Sequence, residues 1–109
     1  MAEDDGELVG QVTIQSTATT RLPVDDPSLA HLRNLFVRRD HWGSGLAREL
    51  HDAAVAEARR RGFGEIRLFA AAEQGRARRF YEREGWVQAG EPAYDPRPDL
   101  VMVEYRLAL

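Results

Sequence analysis

Apolar and polar residues alternate from Leu8 to Ile14, with Leu8, Gly10, Val12 and Ile14 on one side and Val9, Gln11 and Thr13 on the other. A period of two is that of a strand. Asp4-Asp5-Gly6 just before it is a tight-turn signal, glycine supplying a positive φ. Gln15 to Pro27 is polar and holds two prolines, which predicts a long loop. His31 to Val37 predicts a second strand, with Leu35 and Val37 on the face of His31 and Arg33. The period then changes. Ala47, Leu50, His51, Ala54, Val55 and Ala58 share one face at helical spacing, predicting a helix over about Gly45–Arg61. Arg59-Arg60-Arg61-Gly62 ends it, with cations at the negative dipole end and glycine in the C′ position.

Glu65–Ala71 predicts a third strand with Ile66 and Leu68 inward, and Gly75–Glu84 a second helix that stops at Gly85. Trp86–Ala89 starts a further strand, Glu91–Asp99 carries three prolines and reads as a loop, and Leu100–Leu107 alternates again. The expected class is α/β, a mixed sheet in the order β-β-α-β-α-β-β. Helices between strands imply parallel neighbours at the centre, and the terminal strands imply antiparallel edges. No internal repeat or low-complexity segment interrupts the pattern.

Length and composition narrow the chemistry. With 109 residues the chain fits one domain, 1–109. The net charge of −3 gives no drive toward nucleic acid. The lack of cysteine excludes disulfides, thiolate metal sites and a cysteine nucleophile. No apolar run approaches the ~20 residues of a membrane span, and Met1-Ala-Glu-Asp-Asp-Gly6 has no apolar core of a signal peptide. The expectation is a cytoplasmic protein without a membrane partner. His41 reads as turn polarity and His51 as helix packing, neither with ligands at metal spacing, so no metal is expected.

The stretch Leu35 to Arg48 carries the strongest chemical signal. A strand ends in a polar turn, Gly43-Ser44-Gly45 follows, and a helix starts at once. The free N–H groups of a helix start, with the positive dipole end, bind phosphate or pyrophosphate. The bland reading is a plain turn with a helix cap. Two rival phosphate motifs fail on spacing: a dinucleotide fingerprint needs a third glycine where Arg48 stands, and a P-loop needs Gly-Lys-Ser/Thr.

Val37-x-x-x-x-Trp42-x-x-Gly45-x-Ala47, followed by Gln74-x-x-Ala77-x-x-Phe80-Tyr81-x-x-x-Gly85-Trp86, resembles the two cofactor motifs of the GNAT superfamily of N-acetyltransferases. The resemblance covers roughly residues 7 to 107. It implies acetyl-coenzyme A as co-substrate and a primary amine, on a small molecule or a peptide, as acceptor. Leu35, Phe36 and Val37 would lie along the pantetheine arm like an added strand, one of their N–H groups polarising the thioester carbonyl. Gly43, Ser44, Gly45, Leu46, Ala47 and Arg48 would wrap the pyrophosphate. Gln74 stands where the family has a cofactor-contacting Asn. Tyr81 stands where the family places the tyrosine that protonates the departing thiolate, although beside Ala77 and Phe80 it also has ordinary core spacing. Trp42 replaces the usual Gln or Arg.

The resemblance also implies a front that is N-terminally truncated, lacking the strand and two helices that usually wall the acceptor pocket. A shortened chain or misassigned start, a minimal natural member and a half completed by another chain are the three readings. The first is preferred because Ala2 to Glu7 reads like the end of that strand and its turn. The exposed sheet edge would favour a homodimer. His31 stands six before Val37, where a histone-acetyltransferase branch carries its glutamate base, and is read either as a general base or as an edge-strand histidine. Phe69 fills another position where some relatives carry a glutamate. One of Arg76, Arg78 and Arg79 is a candidate for the 3′-phosphate. The expected activity is direct acetyl transfer to an amine. The alternative is a non-catalytic acyl-coenzyme A binding or protein-interaction module.

Overall fold

The computed structural model describes residues 2–4, 7–16, 28–37 and 45–109. Its elements are β1 (Ala2–Asp4), β2 (Glu7–Ser16), β3 (Leu29–Val37), α1 (Leu46–Arg60), β4 (Glu65–Ala71), α2 (Gly75–Arg83), β5 (Val87–Gln88), β6 (Ala93–Asp95) and β7 (Leu100–Ala108). The strands form one seven-stranded sheet in the order β1-β2-β3-β4-β7-β5, with β6 also on β7. Only β3 and β4 run parallel among these pairs; the others are antiparallel. The mixed α/β sheet expected from the sequence is therefore present. It has two short strands beyond the expected set: β1, and β6 inside the proline-bearing segment read as a loop. The three residues of β6 lie between Pro92 and Pro96, so each ladder position keeps its N–H. No helix among the described residues is long and apolar enough to cross a membrane.

Alternation decides the core. Ile66, Leu68 and Ala70 of β4 pack with Ala30 and Leu32 of β3, Val103 and Tyr105 of β7, and Ala54, Val55 and Ala58 of α1. Tyr81 of α2 and Trp86 complete the cluster. His31, Arg67 and Phe69, at the intervening positions, meet one another on the opposite face.

A bulge breaks this alternation in β3. Gln11 pairs with Phe36 but Thr13 with Arg33, so Val12 faces two residues, Asn34 and Leu35. The extra residue turns the strand over. Leu35 therefore packs against the helix-side core, which corrects the expectation that it shares a face with His31.

Both helices end as their glycines predict. Gly62 N–H binds the Arg59 carbonyl and Phe63 N–H that of Ala58. In α2, Gly85 N–H binds the Glu82 carbonyl and Trp86 N–H that of Tyr81. Gly62 and Gly85 have φ of 86° and 98°, the left-handed conformation that closes a helix C-terminus. The second closure also folds Trp86 back onto the ring of Tyr81, with centroids 5.9 Å apart. Gly85→Ala is expected to lower unfolding free energy by about 1–2 kcal/mol, the cost of left-handed backbone for a residue with a Cβ. The nearest atom to that Cβ, Leu107 Cδ1 at 3.8 Å, adds no clash. Urea unfolding checks it; an unchanged midpoint would refute the strain argument.

Candidate functional site

The parallel pair β3–β4 holds only three registered rungs, Leu29–Glu65, Ala30–Ile66 and His31–Arg67. Beyond His31 each strand runs on but turns to other partners: β3 pairs with β2 through Val37, and β4 pairs with β7 through Ala71. A wedge opens between them, leaving the inner edge of β3 without a strand partner among the described residues. Unpaired strand N–H and C=O groups template an added extended segment.

The wedge leads to a cleft of about 1550 Å³ on the helix side, with Leu35, the first turn of α1 and the exposed length of α2 in its walls. That is ample for a cofactor-sized ligand. Gly45 precedes α1 with φ 87°, and no side chain caps the helix. Gly45, Leu46, Ala47 and Arg48 line the cleft, so a fifteen-residue helix points its positive end there. Arg48 is largely exposed and pairs with Glu84 at 3.3 Å, which ties the start of α1 to the end of α2. Gly43, Ser44, Trp42 and His41 lie outside the described residues.

The facing wall is α2. Gln74 is exposed at its N-cap position, makes no capping hydrogen bond and lines the cleft. Tyr81 also lines it, although only 9% of its surface is exposed. Its ring packs against Phe80, Trp86 and Tyr105 at 5.5, 5.9 and 6.1 Å. Burial pushes its hydroxyl up to about 12, and no described residue hydrogen-bonds that hydroxyl. Arg76 and Arg79 line the cleft. Arg78 does not; its guanidinium binds the Tyr105 hydroxyl and the Ala72 carbonyl.

His51 packs the helix as its spacing predicts and has specific partners besides. It is buried where the two helices meet, and its Nε2 accepts the Trp86 indole N–H at 2.8 Å. An indole can only donate, so the proton of the neutral imidazole sits on Nδ1, which donates to Asp52 Oδ1 at 2.9 Å. His51, Asp52 and Glu84 form a cluster of metal-ligand type. A metal on Nδ1 would put a proton on Nε2, against the indole donor, and Glu84 already holds Arg48. The donor set therefore fits a hydrogen-bonded hub better than a metal site. The sequence signal was a buried histidine and a buried tryptophan, each in need of a partner.

His31 stands apart from this cleft, on the far face at the last rung of the wedge. Its Nδ1 accepts from Arg67 Nε at 3.3 Å, and its ring leans on Phe69 with centroids 5.8 Å apart. Burial first, then the charges of Arg67 and Arg33, lower it to about 4. A histidine so held is neutral at physiological pH and has little affinity for a further proton, which weakens its reading as a general base.

Stability follows from the same shift. Between about pH 6.5 and 4 the unfolded chain binds the proton and the folded chain does not, so stability is full above 6.5 and falls as pH drops toward 4. After discounting for the partly buried ring's remaining contact with water, the loss is about 1–2 kcal/mol. Urea unfolding at pH 7 and 4.5 should show His31→Gln losing less than the parent by that amount. Parallel losses would contradict a histidine held neutral by the fold.

Comparison with known proteins agrees with this geometry. The family model described as "Acetyltransferase (GNAT) family" matches residues 1–86. N-acetyltransferase family 8 member 3 of Rattus norvegicus is 32% identical over 98 residues, covering 86% of this chain and 40% of that protein. N-acetyltransferase 8 of Homo sapiens is 32% identical over 95 residues, covering 84% and 39%. The chain thus spans about two-fifths of the length of these relatives. A GNAT-family crystal structure from Desulfovibrio desulfuricans superposes with a TM-score of 0.78 at 25% identity, over 98% of this chain and 64% of that one. Ard1 from Thermoplasma volcanium shares the fold, with a TM-score of 0.79 at 19% identity over 96% and 66%. Matched by the family model over residues 1–86 and in shape over nearly its whole length, the chain belongs to the GNAT acetyltransferase family.

Proposed function

We propose that this chain binds acetyl-coenzyme A and transfers its acetyl group to a primary amine by direct attack. The observation that carries the reading is the continuity of the β3–β4 wedge with the α1 N-terminus and Tyr81 in one cleft. The pyrophosphate would sit at the first turn of α1, where helix N–H groups and dipole meet its charge. The pantetheine arm would lie along the free inner edge of β3, hydrogen-bonded to the backbone of Leu35, Phe36 and Val37, and one N–H would stabilise the oxyanion. Gln74 would contact the arm from the facing wall.

The amine then attacks the thioester carbon, the C–S bond breaks, and Tyr81 gives its proton to the departing sulfur. A hydroxyl held at about 12 keeps that proton at neutral pH. With His31 lowered to about 4, the attacking amine arrives neutral, its surplus proton leaves to water, and Tyr81 regains a proton from water before the next turnover.

The weakness of His31 as a base also favours a second reading, a module that binds acyl-coenzyme A without turnover. Calorimetric titration of the chain with acetyl-coenzyme A, followed by thiol release over a panel of amines, decides between them. Micromolar binding with amine-dependent thiol release supports the transferase. Binding without release supports the module, and no binding by folded protein overturns both.

A further inference from the structure

Tyr105 is fully buried on β7 beneath α2, and its hydroxyl does two things at once. It accepts from Arg78 Nε at 3.0 Å and donates to Glu82 Oε2 at 2.8 Å. Arg78 and Glu82 stand one turn apart on the same stripe of α2. Arg78 carries the linkage further, its Nη1 donating to the Ala72 carbonyl at 3.0 Å, in the turn that joins β4 to α2. The helix is thus pinned to the sheet by one hydroxyl gripped from two successive turns. Tyr81, next to Glu82 in sequence, has no described hydrogen-bond partner, so ring packing and the roll of α2 set where its hydroxyl points.

We propose that Tyr105 is a positioning residue for acetyl transfer: its hydroxyl, held between Arg78 and Glu82, fixes the roll of α2 and so aims the Tyr81 hydroxyl into the cleft. The claim rests on the proposed transferase reading, in which Tyr81 donates the proton. Geometry gives the leverage. A phenol hydroxyl stands about 8 Å from the helix axis, so a roll of about 10° carries it about 1.4 Å. A displacement of about 1 Å at a reacting group costs up to roughly 100-fold in rate. The proposed pyrophosphate seat is on α1 and not on α2, so a small roll of α2 should change cofactor affinity less than it changes the rate.

Tyr105→Phe keeps the ring and removes only the hydroxyl. It should lower kcat at least tenfold, roughly, with KM for acetyl-coenzyme A within about twofold. In a Tyr81→Phe background the same substitution should cost nothing further, because the group it aims is gone. A general loosening of the fold would lower kcat in both backgrounds, and that result overturns the claim.

A second measurement needs no turnover. The chain has three tyrosines, so ζ-¹³C-tyrosine labelling gives three resonances, with exposed Tyr94 as internal reference. Tyr105→Phe should shift or broaden the Tyr81 signal and leave Tyr94 in place; an unmoved Tyr81 signal refutes the positioning role. If the unsubstituted chain transfers no acetyl group, the transferase reading fails by itself, and the resonance decides the positioning claim alone.

Discussion

Tyr81→Phe is expected to lower kcat for acetyl transfer about 100-fold while calorimetric affinity for acetyl-coenzyme A changes less than about twofold. The asymmetry follows from what the side chain touches. Its ring packs against Phe80, Trp86 and Tyr105, and phenylalanine repeats every one of those contacts. Its hydroxyl is bonded to no described residue, so removing it leaves no buried group unpaired, and stability should stay within about 0.5 kcal/mol. In the proposed mechanism, what is lost is the proton for the departing sulfur. Because burial raises the hydroxyl to about 12, the acid stays loaded on the alkaline side. The parent rate should therefore hold above pH 9 rather than fall as a phenol of ordinary acidity ionises. A Tyr81→Phe enzyme with unchanged kcat would remove the hydroxyl from the mechanism.

The features that the sequence made legible are those set by neighbours along the chain. Gly62 and Gly85 announce their own helix ends because only glycine takes a positive φ cheaply, and both do so. The buried stripe Leu50, His51, Ala54, Val55 and Ala58 follows from the helical period alone. The bulge opposite Val12 was not legible, since counting by two assumes that every residue of β3 has one partner. The wedge escaped for a related reason. Local pattern identifies β3 and β4 as strands, but the point where their pairing stops depends on β7 taking the whole length of β4.

The same split runs through the site. The two motifs located α1 and α2, and the fold brings both to one cleft. That Arg78 turns away from that cleft while Arg76 and Arg79 line it depended on Tyr105, twenty-seven residues from Arg78. His31 looked suited to base chemistry from its type and strand position. Its actual surroundings, Arg67 donating to the ring nitrogen and burial around it, come from a strand thirty-six residues away.

Trp86 carries the largest expected effect on stability. It is 3% exposed, it follows the glycine that ends α2, and it joins that helix to α1 through the His51 hydrogen bond. Trp86→Ala should cost about 3–5 kcal/mol, a fall of roughly 15–30 °C in Tm for a domain of this size. That is much of the margin by which a small domain stays folded.

Trp86→Phe separates the ring from the hydrogen bond. Most of the packing survives, but His51 Nε2 becomes a buried acceptor without a donor, at a cost of about 1–3 kcal/mol. His51→Leu orphans the indole N–H in turn. If the bond is the link, the double substitution His51→Leu/Trp86→Phe should cost less than the two singles together by about 1–2 kcal/mol, because neither orphan is left. Strict additivity would mean that the two side chains pack side by side without bonding. A coupling of the expected size would make the pair one unit. The start of α1, proposed to seat the pyrophosphate, and the helix that carries Tyr81 would then be held at their spacing by this buried hydrogen bond together with the Arg48–Glu84 pair.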